Sequence, residues 1–178
     1  NSATSALHIA CKALGLKKGE ILWTVSNTFV ASANCGRYCG AKVDFVDIDP
    51  KTHNICTLDL KKKLIFAKKK NNLPKILVVV HFAGQPVEIE KIRNLSKVYK
   101  FKIIEDASHA FGAHRNNNLI GGCKFSDVAI FSFHPVKTIT SAEGGMALTN
   151  NFNLFKKMDL FRLHGITKKK LWMKKKNK

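Results

Sequence analysis

The sequence has little negative charge and no long apolar run. Twelve acidic residues stand against 31 lysines and arginines, for a net charge of +19. No apolar stretch approaches the roughly 20 residues of a membrane-spanning helix, and the expectation is a chain without a secretory signal peptide. The five cysteines, Cys11, Cys35, Cys39, Cys56 and Cys123, form neither a CxxC pair nor a zinc-ligand spacing. An odd cysteine count without a secretory signal fits a reducing compartment, so the expected location is the cytoplasm. An initiator methionine is also missing. The chain opens on NSATSALHIA, which looks like the middle of a protein, and stops on KKKLWMKKKNK without a closing element. The expectation is a fragment, or a product cut at both ends. There is no internal repeat and no low-complexity linker.

At 178 residues with 45% hydrophobic content, the chain can form one globular domain with a sizeable core. Its charge would fit a nucleic-acid or membrane-surface partner. The positive residues, however, lie in scattered tracts: Lys17-Lys18, Lys61 to Lys63, Lys68 to Lys70, Lys168 to Lys170 and Lys174 to Lys176. These are nearly all lysine, with few arginines and few interleaved aromatics. Such tracts read as solvated helix faces and loops, so neither nucleic acid nor membrane is the expected partner. A basic nucleic-acid-binding module is kept as a rival that predicts strongly salt-dependent association with oligonucleotides.

Periodicity alternates along the chain. Helices are predicted over Thr4–Leu14, Val30–Tyr38, Leu58–Lys69, Glu88–Tyr99 and Asn153–Leu163, with Ser2 or Thr4 capping the first. Strands are predicted over Ile21–Val25, Lys42–Ile48, Ile76–Phe82, Phe101–Glu105, Val128–Phe133 and Met146–Thr149. The run Ile76–Phe82 is continuously apolar, as in a strand covered on both faces. Cys35 and Cys39, four apart in a helix, read as small packing residues. The alternation implies an α/β fold of three layers, α/β/α, around a mostly parallel sheet. Asn27 and Thr28, His81, Asp106 and His109, and Ser132 each follow the carboxyl end of an apolar run. In an open parallel sheet those ends share one edge, and ligands bind outside it.

The stretch FSFHPVKTITSAEGG, Phe131 to Gly145, carries a lysine apart from the tracts. Lys137 has apolar and hydroxyl neighbours, and desolvation would favour its neutral amine, as a Schiff-base lysine requires. It reads equally as a surface lysine in a loop after a strand. Asp106 ends a buried strand, where a carboxylate needs a cationic or N–H partner. It could face a protonated pyridine nitrogen or cap the following turn. The start of the first helix, Ala3-Thr4-Ser5, can present N–H groups and hydroxyls to a phosphate, or be a simple cap. Phe29 could stack on an aromatic ring or belong to the core. Ser132 points away from Phe131 and Phe133, toward the cleft. Lysine, strand-end aspartate, anion-binding helix start and aromatic together are what pyridoxal 5'-phosphate requires.

Several long segments then become specific. NSATSALHIACKALG, SNTFVASANCGRYCGAKVDFVDIDP, VVVHFAGQPVEIEKI, IIEDASHAFGA, IGGCKFSDVAIFSFHPVKTITSAEGGMALTN and FRLHG resemble, in order and spacing, the sugar-nucleotide aminotransferases of the DegT/DnrJ type. The resemblance runs over nearly the whole chain. It implies the large domain of a pyridoxal-phosphate-dependent transferase of fold type I, incomplete here. Residues 1–165 would form that domain without its first strand, which the family places inside the sheet. Residues 166–178 would be a basic tail leading to a C-terminal domain. The implied activity moves an amino group from glutamate to a nucleotide sugar, a UDP-linked 4-keto-6-deoxy sugar. The product would serve cell-surface polysaccharide, flagellin glycan or pseudaminic acid biosynthesis. The resemblance matches Lys137 to the lysine that binds the cofactor and Asp106 to the pyridine-nitrogen partner. It matches Phe29 to the stacking aromatic, and Thr4, Ser5 and Ser132 to phosphate contacts. His109 stands where many relatives have glutamine, beside the cofactor's phenolic oxygen. Such enzymes work as homodimers with shared sites, so a truncated, non-catalytic product is the second rival.

Overall fold

The computed structural model describes residues 1–173. Lys174 to Lys176, and with them the end of the basic tail expected over 166–178, lie outside the described residues. Helix α1 (Ala3–Ala13) is capped by Ser2, whose side chain accepts the Ser5 N–H. It is followed by β1 (Ile21–Val25), α2 (Ala31–Tyr38), β2 (Lys42–Val46), α3 (Thr57–Lys69), β3 (Ile76–Val80), α4 (Ile89–Tyr99) and β4 (Lys102–Asp106). A small hairpin comes next, β5 (His114–Arg115) with β6 (Asn118–Leu119), and then β7 (Val128–Ser132), β8 (Gly145–Leu148) and α5 (Phe152–Arg162). Short 3-10 turns cover Phe82–Gly84 and Lys170–Trp172.

The main sheet is six-stranded in the order β2-β1-β3-β4-β7-β8. β1, β2, β3, β4 and β7 are parallel, and β8 alone runs antiparallel, pairing Ser132 with Gly145 and Ala129 with Leu148. The period of an apolar run is the same for either direction, so the sequence expectation of a mostly parallel sheet could not single out β8. The hairpin of β5 and β6 was not foreseen at all, because two-residue strands are too short to show a period. β2 ends at Val46 and not at Ile48. Ile48 instead forms an isolated bridge to Ile55. The six strands are hydrogen-bonded to one another without a gap. A further strand could therefore join only at an edge, beside β2 or β8, and not inside the sheet as the family resemblance had suggested.

Alternation within each strand divides the core in two. Leu22, Ile76, Val78, Ile104, Val128 and Ile130 face α1, α2 and α5. Trp23, Leu77, Val79 and Ile103 face α3 and α4. The central strands are thus buried on both faces, which explains their unbroken apolar character. Cys11 and Cys35 are fully buried where α1 meets α2, so Cys35 is a packing residue as expected. Contact with Cys35 and burial push the Cys11 thiol well above its ordinary range. Cys39 lies just past the end of α2 and is half-exposed. The lysines at 17–18, 61–62, 68–70 and 168–170 are exposed, in line with solvated faces.

One close approach places α1 over the sheet edge. A Cβ added to Gly145, the first residue of β8, would stand 2.2 Å from the Ser2 carbonyl carbon and 2.4 Å from the Ala3 nitrogen. Backbone meets backbone there, and only glycine fits. Gly145→Ala should therefore push the start of α1 off β8 and destabilise the fold by about 1–3 kcal/mol. Chemical denaturation of the variant beside the parent measures this, and an unchanged midpoint would show that the approach is not tight.

Candidate active site

The carboxyl ends of β1, β3, β4 and β7 open on one cavity of about 530 Å³, within the range of small-molecule sites. Thr4, Asn27, Thr28, Phe29, His81, Asp106, His109, Ser132 and Lys137 all line it, from positions spread over most of the chain. Parallel strand direction brings them together, as the sequence pattern predicts.

Asp106 is the last residue of β4 and follows Ile104 on the face covered by α1 and α2. It is buried, and its Oδ2 accepts a 2.6 Å hydrogen bond from the Ser32 hydroxyl of α2. With the Ser32 proton so committed, Thr28 Oγ1, 2.9 Å away, donates to Ser32 Oγ. On the other oxygen, Oδ1 accepts the Ser108 hydroxyl at 2.6 Å and the Ser108 N–H at 3.2 Å. Asp106 therefore caps the following turn, as one of the two sequence alternatives has it, and it also lines the cavity. Ser32 and Ser108 were not singled out by the sequence. The one available signal was a serine on the otherwise apolar face of α2, beside Ala31 and Cys35.

Lys137 follows β7 in the turn closed by its own N–H to the His134 carbonyl. It is half-buried, and its Nζ lies 2.5 Å from His109 Nε2. Partial burial and, next, the Lys137 ammonium hold the His109 imidazole below its ordinary pKa, against a smaller upward pull from Asp106. A neutral His109 ring, accepting at Nε2 from the ammonium, is the arrangement these charges favour. Phe29 stands at the mouth with 74% of its surface exposed, so it is not a core residue. Ser132 faces the cavity, with its Oγ accepting from the His134 N–H at 3.4 Å.

The start of α1 forms the wall near Gly144. Ser2 is the cap, so the Ser5 N–H and the Ala6 N–H are taken by Ser2 itself. The N–H groups of Ala3 and Thr4 find no partner among the described residues. Ser5 does not line the cavity. Its hydroxyl is 3.0 Å from Ser2 Oγ and 2.5 Å from Asn1 Oδ1. Ser2 rather than Thr4 caps the helix, which turns the third helical residue away. Of the expected anion contacts the structure thus brings Thr4 and Ser132 to the site and leaves Ser5 outside it.

Among the described residues no group of three or more histidine, cysteine or acidic side chains could hold a metal ion, and no helix is long and apolar enough to cross a membrane.

Comparison with known proteins follows the same lines. Residues 1–177 match the DegT/DnrJ/EryC1/StrS aminotransferase family. The chain is 47% identical, over 172 residues, to the UDP-4-amino-4,6-dideoxy-N-acetyl-beta-L-altrosamine transaminase of Campylobacter jejuni, covering 97% of this chain and 44% of that protein. Among solved structures it superposes on Helicobacter pylori PseC, an aminotransferase involved in the biosynthesis of pseudoaminic acid. The TM-score is 0.86 at 36% identity, over 97% of this chain and 45% of that one. It also matches NtdA from Bacillus subtilis with bound cofactor PMP, with a TM-score of 0.79 at 29% identity, over 93% of this chain and 35% of that one. The chain spans less than half the length of each of these relatives.

The Lys137–His109 contact is open to a direct test. His109 should titrate below 6.5, the ordinary histidine value, when its ring signal is followed by NMR. In Lys137→Met the repulsive ammonium is gone and the midpoint should rise. A midpoint that does not move would mean that the two side chains do not meet.

Proposed function

The chain belongs to the DegT/DnrJ/EryC1/StrS aminotransferase family, and we propose that it forms the cofactor-binding part of a pyridoxal-phosphate-dependent sugar-nucleotide aminotransferase. The observation that carries this reading is the joint placement of Lys137 and Asp106 in one cavity with a helix start whose N–H groups are uncommitted. The residues fit the cofactor. The cavity has room for it, the uncommitted N–H groups of Ala3 and Thr4 suit its phosphate, and Asp106 offers a fixed anion to its ring nitrogen.

When bound, the cofactor supplies an electron sink that stabilises negative charge at the substrate carbon. The protein's own part is positioning and proton transfer. Lys137 would be the residue that holds the cofactor, and its Nζ would move a proton as general acid and base. Asp106, locked by Ser32 and Ser108, would favour a protonated ring nitrogen. Thr4, the α1 start and Ser132 would hold the phosphate, His109 would lie beside the cofactor, and Phe29 would offer an aromatic surface to its ring. The amino donor is glutamate and the acceptor a UDP-linked 4-keto-6-deoxy sugar. The likeness to the altrosamine transaminase and to PseC supports a UDP-linked sugar as the acceptor. The large domain extends over residues 1–165, with the tail from 166 leading to a C-terminal part. A homodimer belongs to the same reading. Phe29 and Val136, 74% and 75% exposed beside the cavity, are the apolar surface a second copy would cover. The cytoplasm is the location, in keeping with five free cysteines.

Two variants of the full-length protein test the assignment. Borohydride reduction with pyridoxal phosphate followed by peptide mapping should label Lys137, and Lys137→Ala should abolish both the label and the cofactor's visible band. A label on another lysine would sink the assignment. Asp106→Asn should keep the fold and still bind cofactor, while amino transfer slows by on the order of a hundredfold or more. Near-normal turnover would remove Asp106 from the role.

A further inference from the structure

The cavity wall at Phe82 and Ala83 is held from behind by buried polar groups to which no role has been given. The Phe82–Gly84 turn follows β3, and Ala83 within it has φ 50°, a left-handed conformation that a residue with a side chain adopts at a cost. Such strain persists where neighbours over-determine the backbone. Asn54, buried, accepts the Phe82 N–H on Oδ1 at 3.0 Å and donates from Nδ2 to the Gln85 carbonyl at 3.0 Å. One side chain thus ties both ends of the turn. His81, the residue before the turn, is 1% exposed. Its Nδ1 accepts the Val87 N–H at 3.2 Å, so that nitrogen carries no proton. The ring is therefore neutral with its proton on Nε2, which it donates to Glu105 Oε2 at 2.9 Å. Glu105, buried on the face opposite Asp106, also accepts the Ser126 hydroxyl. The His81 N–H itself donates to the Asp106 carbonyl at 3.1 Å.

The turn presses on the site. A Cβ on Gly84 would lie 2.6 Å from the His109 carbonyl oxygen, so the two backbones touch. The ring of that same histidine reaches Lys137. A well-packed apolar pair would fill the space of His81 and Glu105 without burying a carboxylate. What the polar set adds is direction: Asn54 fixes the Phe82 N–H and the Gln85 carbonyl of the turn, and His81, itself held by Glu105, fixes the Val87 N–H just beyond it.

We propose that Asn54 and His81 are positioning residues: they hold the Phe82–Gln85 turn against the His109 backbone and so keep the His109 ring beside Lys137. The importance of that placement for the cofactor rests on the function proposed above, but the placement itself does not. Asn54→Ala and His81→Leu remove the ties. His81→Gln keeps them, since its amide can accept from Val87 and donate to Glu105. Gly84→Ala drives the turn and His109 apart directly. Lys137 and Asp106 are the charged groups facing His109, so its NMR titration reports whether the ring has left the ammonium.

In the full-length protein, Asn54→Ala, His81→Leu and Gly84→Ala should raise the His109 midpoint, as Lys137→Met does. They should also weaken pyridoxal phosphate binding by about ten- to hundredfold, the range that outer-shell partners carry at metal sites. His81→Gln should stay near the parent on both measures. Cooperative melting checks each variant, and if His81→Leu does not fold, Asn54→Ala and Gly84→Ala decide. Parent-like His109 midpoints in these variants would overturn the proposal. If the parent protein binds no pyridoxal phosphate, the proposed function fails, and the His109 titration still decides the positioning role.

Discussion

The common direction of β1, β3, β4 and β7 is the constraint on which the rest of the molecule depends. A parallel strand cannot be reached by a short turn, so β3 and β4 are entered through crossing helices and β7 through the longer connection that carries the β5–β6 hairpin, and each ends on the same edge. Apart from Ser2 and Thr4 at the start of α1, the polar side chains of the cavity are hung from such an end or from the loop that follows it. The strand interiors are apolar on both faces, and this leaves the ends as the place where polar groups can gather without desolvation. β8, running the other way, starts where β7 ends, and so brings Gly144 and Gly145 back to the start of α1.

Alternation of side chains along one strand then gives two neighbouring carboxylates different work. Asp106 faces α2 and the cavity, and its oxygens are filled by the hydroxyls of Ser32 and Ser108 and by one N–H. Glu105 faces the opposite layer and is filled by His81 and Ser126. Hydroxyl and N–H donors satisfy each carboxylate at burial that an isolated charge would not tolerate. The first carboxylate is presented to a ligand. The second is turned away and holds the wall.

The site combines fixed and open parts. Asp106, His81, Asn54 and Ser32 are buried and doubly bonded, whereas Phe29, Val136 and His134 stand in solvent at the mouth. A pocket so divided keeps its chemistry preorganised at the floor and leaves its rim to be completed by other surface. The lysine tracts at 17–18, 61–63, 68–70 and 168–170 take no part in it. They lie on exposed faces, where charge favours solubility and does not shape the cavity.

The sequence by itself determined the elements and their order. Apolar runs of four to seven residues separated by amphipathic stretches could become only a sheet wrapped in helices, and the polar residues at the ends of those runs marked the cavity edge. Lys137 stood out because it lacked charged neighbours, and Asp106 because it ended a buried strand. Only the tertiary structure decided how these residues are held. Ser32 and Asp106 are 74 positions apart, His81 and Glu105 are 24 apart, and Lys137 and His109 are 28 apart. No local period records which helix lies over which strand end, so Ser32, Asn54 and Glu105 carried no signal as partners. The same holds for Ser5, which a helix start would offer to an anion. Ser2 takes the cap, and the Ser5 hydroxyl bonds back to Ser2 and Asn1 instead of lining the cavity.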